Sequence, residues 1–177
     1  MKKTQIPTPE ECINLLKKAG CNKAVIKHCI SVRDVALKIA KKTNADLELV
    51  EAGALLHDIG RSKTHGIRHA IEGVKIAEKL KLPKEIIRII ETHIGAGIPK
   101  NETKKLGLPE KDYMPETLEE KIVCHADNLI DHNKIKKIDY EIKRAKRDGN
   151  HGYAERLRKL HDELSKIYGM DLNKIKK

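Results

Sequence analysis

The chain has 177 residues, of which 39% are hydrophobic and 36% are charged. Phe and Trp are absent and Tyr occurs four times, so the core must be aliphatic and an aromatic surface for stacking bases is nearly excluded. No apolar run approaches the roughly 18 residues of a membrane helix, and the basic N-terminus lacks the apolar segment of a secretory signal. These features predict a cytoplasmic protein with no membrane partner.

The formal net charge of +11 is unevenly distributed. Residues 134–177 contain 14 Lys and Arg against 7 Asp and Glu. Such a basic excess is typical of proteins that bind nucleic acid, although solvated helix faces produce it as well.

The cysteines show neither CxxC spacing nor a disulfide framework. They are Cys12, Cys21, Cys29 and Cys124. We therefore expect reduced and mostly buried thiols, as in a cytosolic protein.

Helix start and stop signals divide the N-terminal third into three predicted helices. Thr8 is an N-cap followed by proline and a capping-box glutamate, and Gly20 closes this first helix. Asn22 begins a longer second helix, in which apolar residues recur at three- and four-residue steps. A third helix begins near Asp46 and is expected to stop at Gly60.

The same periodicity continues through the rest of the chain. Residues 67–80 form a fourth predicted helix, Pro83 begins a fifth, and a sixth covers about 117–130. Two amphipathic stretches follow, at residues 135–145 and 154–167.

Residues 95–115 are predicted to form a long loop, because they contain three Gly and three Pro. No segment shows the alternation of a half-buried strand, and the short β-branched runs lie within helical periods. We therefore predict one all-α domain, with residues 134–177 as a C-terminal helical extension.

Histidine and aspartate residues occur where the predicted helices are otherwise apolar. His57 and Asp58 lie at the end of the third helix, His28 on an apolar face of the second, His93 late in the Ile-rich fifth, and Asp127 in the middle of the sixth. Burying a carboxylate or an imidazole among Ile and Leu is costly unless a partner or a metal compensates. Helices can direct such side chains to one inward cluster, as in helical metal-carboxylate proteins.

A mixed His and Asp set favours Mn, Fe, Co, Ni or Zn over Ca or Mg, which prefer oxygen ligands. Successive helical side chains diverge by about 100°, so His57 and Asp58 reach one point most easily where the helix ends. Gly60 is expected to provide that end.

The order His28…His57-Asp58-Ile59-Gly60…Asp127 resembles the HD-domain metal-dependent phosphohydrolases in their HDIG form. Residues 54–61 are similar to the central helix of that family, and residues 124–130 to its last metal-binding helix. The resemblance implies a helical HD-domain bundle over residues 1–133, followed by the extension 134–177.

The resemblance also implies a ligand set. The ligands of a first metal would be His28, His57, Asp58 and Asp127. Dinuclear members add two histidines, and His69 and His93 match that pattern, with Asp58 then bridging the two metals. The alternatives are a buried neutral imidazole at His93 and an exposed helix start at His69. The implied cofactor is one or two divalent metal ions, and the implied activity is hydrolysis of a phosphate ester by metal-activated water.

Signatures that would specify the substrate within this family are missing. The Gly-Tyr-Pro motif of cyclic-di-GMP phosphodiesterases is absent, and residues 61–65 lack the acidic pair expected of alarmone hydrolases. We therefore predict only a nucleotide or another small phosphorylated metabolite as substrate. Nucleic acid is not favoured as a partner.

Basic residues follow the HD pair and occupy the predicted loop. Arg61 and Lys63 are predicted to act with His57 and Asp58 in catalysis. Substrate phosphate is predicted to be bound by Arg61, Lys63, His65 and Lys100, with Lys104 or Lys105 as further candidates. A solvated basic loop explains these residues equally well.

The remaining histidines are placed outside the ligand set. Side chains two residues apart face different directions on a helix, so His125 is assigned to the surroundings of Asp127 or to the surface. The predicted surface histidines are His132, His151 and His161.

Two other classes of function stay open. One is a catalytically silent, metal-stabilised HD module that binds a nucleotide or a protein partner. The other is nucleic-acid binding through residues 134–177, which would show steep salt dependence.

Overall fold

The computed structural model describes residues 5–176, which form a bundle of α-helices with one short hairpin. In chain order the helices are α1 (Pro9–Ala19), α2 (Lys23–Ala40), α3 (Leu47–Leu56), α4 (His69–Lys79), α5 (Lys84–Thr92), α6 (Lys100–Thr103), α7 (Leu118–Asn128), α8 (Ile138–Arg147) and α9 (His151–Tyr168). Single turns of 3-10 helix lie at Ile59–Ser62, Lys104–Leu106 and Leu172–Lys174. The predicted all-α fold is confirmed. No described helix has the length and hydropathy needed to cross a bilayer.

Side-chain caps fix where the helices begin. Thr8 accepts a hydrogen bond from the N–H of Glu11 at 3.3 Å, and the Glu11 carboxylate accepts one from the N–H of Thr8 at 2.7 Å. Asn22, Asp46 and Thr117 cap α2, α3 and α7 in the same way, each accepting from the N–H three residues later. Each such cap stabilises its helix by about 1 kcal/mol.

One aliphatic cluster joins the long helices. Val32, Leu55, Ile90 and Val123 contribute to it from α2, α3, α5 and α7, and all four are buried. Leu157 of α9 belongs to the same cluster, so the C-terminal helices share the core of the preceding bundle. Each fully buried side chain of this size contributes about 1.5–3 kcal/mol. The division of the chain at residue 133 stays a prediction.

All four cysteine thiols are free and buried, as predicted. Burial raises the pKa of Cys12 to about 12 and that of Cys21 to about 11. These thiols are therefore protonated packing groups at neutral pH.

Gly60 has a different role from the one predicted. Helix α3 ends at Leu56, earlier than expected, and Gly60 lies within the following 3-10 turn. A Cβ at Gly60 would lie 1.8 Å from the carbonyl oxygen of His69 and 2.4 Å from the backbone N of Gly73. Glycine is required because the start of α4 packs directly against this turn.

The predicted loop at residues 95–115 contains helical turns. Helix α6 and the 3-10 turn after it begin beyond Pro99 and end at Gly107, which adopts a left-handed φ of 67°. The prediction of a loop was therefore wrong over residues 100–106.

The chain after α7 also differs from the prediction. Helix α7 ends at Asn128 rather than near residue 130, so Asp127 lies in its last turn and not in its middle. An antiparallel hairpin follows, pairing Ile130–Asp131 with Lys134–Ile135. The expectation of no strand was wrong because His132 and Asn133 adopt positive φ values of 45° and 64° and form a tight turn.

Candidate metal centre

The six predicted ligands converge between the helices. They are His28 of α2, His57 and Asp58 after α3, His69 at the start of α4, His93 after α5, and Asp127 in the last turn of α7. Because these residues lie at or near helix ends, with the exception of His28, the bundle can direct all of their side chains to one point.

Asp58 lies at the centre of this cluster, and its side chain is only 3% exposed. Its Oδ2 is 3.6 Å from Nε2 of His57 and 3.7 Å from Nε2 of His28. Its Oδ1 is 3.2 Å from Nε2 of His69 and 3.4 Å from Nε2 of His93. The two carboxylate oxygens therefore face two different pairs of histidines.

Asp127 lies on the side of the centre where His28 and His57 face Oδ2 of Asp58. Its Oδ1 lies 2.9 Å from Nε2 of His28 and 3.6 Å from Nε2 of His57. The side chains of His28 and Asp127 are 25% and 23% exposed, so the centre is reachable from solvent on this side. Within residues 5–176, two groups of side chains have ligand atoms close enough to share a metal ion: His28, His57 and Asp127, and His57, Asp58 and His93.

Backbone carbonyls fix the orientation of three of the imidazoles. Nδ1 of His57, His69 and His93 lies 2.7, 2.8 and 2.8 Å from the carbonyl oxygen three residues earlier. A carbonyl accepts only, so each Nδ1 carries the hydrogen and each ring turns its Nε2 toward the centre, where Nε2 has a lone pair whenever the ring is neutral. This arrangement orients metal-binding histidines in proteins generally.

The donor atoms fit a divalent cation. Nε2 of His57 and Oδ1 of Asp58 are buried with no hydrogen-bond partner. Nε2 of His69 lies 2.9 Å from Nε2 of His93. Buried lone pairs left unpaired or facing each other are costly, and a shared cation removes that cost.

The two carboxylates are held in their ionised forms. Burial alone would raise the pKa of Asp58, but a positive charge on His57 and the close approach of His69 and His93 hold it well below its usual range. The pKa of Asp127 is lowered as well, against the effect of burial, by the hydrogen bond with His28 and by the nearby imidazole of His57. Burial acts to lower the pKa of His57, but the charge of Asp58 raises it well above the usual value. A positive charge at this point balances the buried carboxylates.

Comparison with known proteins agrees with this geometry. The HD domain family matches residues 25–130. The chain belongs to the HD domain family. The predicted resemblance to HD-domain metal-dependent phosphohydrolases is therefore confirmed at the level of the family.

Relatives of this HD-domain chain have different names. It is 47% identical to an uncharacterized protein of Methanocaldococcus jannaschii, over 89% of this chain and 97% of the relative. It is 46% identical to a tRNA (cytidine(56)-2'-O)-methyltransferase of Picrophilus torridus, over 97% of this chain and 50% of the relative. The chain thus spans about half the length of that methyltransferase. Among solved structures, the HD domain of the L. monocytogenes phosphodiesterase PgpH with cyclic-di-AMP has a TM-score of 0.55 and 22% identity, over 93% of this chain and 100% of that chain, which shows a common fold.

The basic residues predicted beside the HD pair are placed unequally. Nε of Arg61 donates to Oδ2 of Asp58 at 2.6 Å, and its Nη1 donates to the carbonyl oxygen of His65 at 3.2 Å. Lys63, His65 and Lys100 are exposed, and the described hydrogen bonds of Lys100 involve its backbone alone, which donates to Asp112 and accepts from Thr103. The structure places Arg61 at the candidate metal centre and leaves the side chains of Lys63, His65 and Lys100 at the surface. Their role in binding substrate stays a prediction.

A second histidine cluster was missed by the sequence analysis. His125 is fully buried, and its Nε2 lies 3.0 Å from Nδ1 of His161, whose Nε2 lies 2.9 Å from Oδ1 of Asp171. The prediction of a surface position was wrong for His161, which is 2% exposed. A signal was present, because His161 follows Leu157 by one helical turn and shares its apolar face. His132 and His151 are exposed, as predicted.

Proposed function

We propose that this HD-domain protein is a metal-dependent phosphohydrolase that cleaves a phosphate ester of a nucleotide or a small phosphorylated metabolite. The observation that carries the proposal is the position of Asp58 between two histidine pairs, one facing each carboxylate oxygen. A carboxylate so placed can bridge two metal ions, as in two-metal phosphoesterases.

This geometry supports the ligand set that the family resemblance implies. A first ion would be held by His28, His57, Asp58 and Asp127, and a second by Asp58, His69 and His93. Imidazole-rich sets of this kind favour Mn, Fe, Co, Ni or Zn over Mg. A bound divalent ion would supply a Lewis acid that activates water and neutralises charge on the phosphate.

Arg61 is the basic side chain best placed to assist. Its side chain is 30% exposed and its guanidinium is already bonded to Asp58, so it lies at the edge of the centre. A guanidinium has five N–H donors, and donors remain beyond the bonds to Asp58 and His65. We propose that Arg61 binds a phosphate oxygen, with Lys63 and Lys100 adding positive charge nearby. The cyclic-di-AMP bound to the PgpH domain supports a nucleotide as the ligand class.

The test combines metal analysis with a substrate screen. Purified protein is loaded separately with Mn, Fe, Co, Ni, Zn or Mg and assayed against nucleoside monophosphates, nucleoside triphosphates, cyclic dinucleotides and bis(p-nitrophenyl) phosphate. We expect hydrolysis of at least one class, lost in Asp58→Asn and retained in His132→Ala, which alters an exposed histidine paired with Asp131. Full metal content without turnover of any substrate would overturn the proposal, as would an active Asp58→Asn variant.

A second candidate is a silent metal-stabilised module that binds a nucleotide or RNA. It is favoured by the relative named as a tRNA methyltransferase, which is not a hydrolase name and of which this chain covers half. This candidate predicts bound metal and saturable binding of a nucleotide or tRNA with no hydrolysis.

A further inference from the structure

One loop begins directly after His93 and ends in contact with the residue that precedes His69. We call residues 94–107 the bridging loop, because it begins directly after His93 and ends at Gly107, whose carbonyl oxygen accepts a hydrogen bond from Nη1 of Arg68 at 2.8 Å. Arg68 directly precedes His69. The position of the bridging loop is therefore coupled to this side of the metal centre.

Helix α9 holds the start of the bridging loop. Gly95 has a left-handed φ of 61°, and a Cβ there would lie only 2.8 Å from Cε2 of Tyr153, so the tyrosine ring packs on the loop backbone. The carbonyl oxygen of Gly95 accepts hydrogen bonds from Nδ2 of Asn128 and from Sγ of Cys124. The loop start is thus enclosed between α7, which carries Asp127, and α9.

Helix α9 also holds the middle of the bridging loop. Nη1 and Nη2 of Arg156 donate to Oε1 and Oε2 of Glu102 in α6, at 2.8 and 2.7 Å. The two side chains are 19% and 32% exposed. A two-bonded Arg–carboxylate pair of low exposure fixes orientation as well as distance, unlike a single-bonded surface ion pair.

The bridging loop carries three lysines whose positive charges are not neutralised by ion pairs among the described residues. Lys100, Lys104 and Lys105 are exposed and form no ion pair with any described residue. Glu102 is the only acidic residue of this loop, and Arg156 neutralises it. Fixing the loop therefore fixes the backbone that carries three exposed cations, in the segment that directly follows His93.

We infer that α9 positions the bridging loop through Tyr153 and Arg156, and that this position sets the affinity of the centre for a phosphate group. The choice of phosphate as the ligand rests on the proposed function. Both residues lie outside residues 25–130, which the HD domain family matches. The C-terminal helices are then a working part of the site and not an appended extension.

The test uses the full-length, metal-loaded protein with Arg156→Gln, Glu102→Gln and the double variant. Inorganic phosphate is titrated by calorimetry, and amide hydrogen exchange is measured over residues 94–107. We expect the affinity for phosphate to be about tenfold weaker in each single variant, because a loop displaced by about 1 Å loses its alignment with the bound ligand. The double variant should be no weaker than either single variant, since both remove the same pair. The charge swap Arg156→Glu with Glu102→Arg should restore most of the affinity, and metal content should not change.

The matched control is Lys121→Gln, which removes a different ion pair between α7 and α9. Nζ of Lys121 donates to Oε1 of Glu163 at 2.7 Å, and this pair does not touch the bridging loop. We expect wild-type phosphate affinity and wild-type exchange of residues 94–107 in this variant. Equal phosphate affinities for Arg156→Gln and Lys121→Gln would overturn the inference.

The two measurements separate this inference from the proposed function. Faster exchange confined to residues 94–107 in Arg156→Gln supports the positioning role, and unchanged exchange refutes it, whether or not any substrate is hydrolysed. Wild-type protein that binds metal but no phosphate would overturn both the proposed function and the affinity claim.

Discussion

His69 and His93 face each other across the centre, with their Nε2 atoms 2.9 Å apart. Each ring donates its Nδ1 hydrogen to a backbone carbonyl, so neither neutral ring has a hydrogen to offer at Nε2. Two lone pairs at this distance repel each other unless a cation or a proton lies near them. Oδ1 of Asp58, which is 3.2 and 3.4 Å away, adds a negative charge to the same point. The arrangement is stable with a metal ion and costly without positive charge.

Removal of one of these histidines should therefore lower metal content. In His69→Ala the carboxylate of Asp58 loses one of the two imidazoles that face its Oδ1, so we expect less bound metal and hydrolysis about 10–100-fold slower. Elemental analysis and initial rates measure the two effects. His132→Ala, at an exposed position, should change neither; equal losses in the two variants would contradict the assignment.

Gly60 should be intolerant of any side chain. A Cβ would meet the backbone of His69 and Gly73, neither of which can rotate away, so Gly60→Ala should lower the free energy of unfolding by about 3 kcal/mol. Gly66→Ala is the control, because the nearest atom to a Cβ there is Oγ1 of Thr64 at 3.7 Å, and a change within about 0.5 kcal/mol is expected. Urea unfolding measures both variants. Equal stabilities would show that α4 does not pack on this turn as described.

Stability should depend on pH through His125. Burial, together with the nearby positive charge of His161 when protonated, lowers the pKa of His125 from 6.5 to about 3. Between these values the unfolded chain binds a proton that the folded chain does not, so this contribution is complete above about pH 6.5 and is lost as the pH falls toward 3. His125→Gln keeps a donor for His161 and removes the titration. Its free energy of unfolding should fall less steeply than that of wild type between about pH 7 and about pH 4; parallel curves from urea unfolding would contradict the prediction.

Arg61 should affect turnover more than metal binding. It donates to Oδ2 of Asp58 but is not itself a ligand, so Arg61→Gln should retain its metal and lose about tenfold or more in kcat. Arg61→Lys keeps the charge but not the planar pair of donors, and we expect an intermediate rate. Initial rates and elemental analysis on the same samples measure this. Loss of metal from Arg61→Gln would show instead that Arg61 only maintains the ligand geometry.

The sequence was informative where local chemistry determines structure. The caps at Thr8, Asn22, Asp46 and Thr117 are local hydrogen bonds, and the helices begin where those residues predict. The six candidate ligands were predicted from their order in the chain together with family resemblance, and the fold brings their side chains together.

What the sequence did not show depends on contacts distant in the chain. Gly60 was expected to end a helix, whereas it is needed because His69 packs against it. The Arg156–Glu102 pair joins residues separated by 54 positions, and no local pattern indicates it. The tight turn at His132 and Asn133 lacks the glycine that usually marks such turns, although Asn tolerates a left-handed conformation.

The most direct test of the central claim is the metal content of wild-type protein and of Asp58→Ala, prepared under metal-replete conditions and freed of loosely bound ions. The converging ligands should hold at least about one equivalent per chain in the wild type and less than about half an equivalent in Asp58→Ala. Less than about half an equivalent in the wild type, or equal content in the two proteins, would contradict the assignment of a metal centre at Asp58.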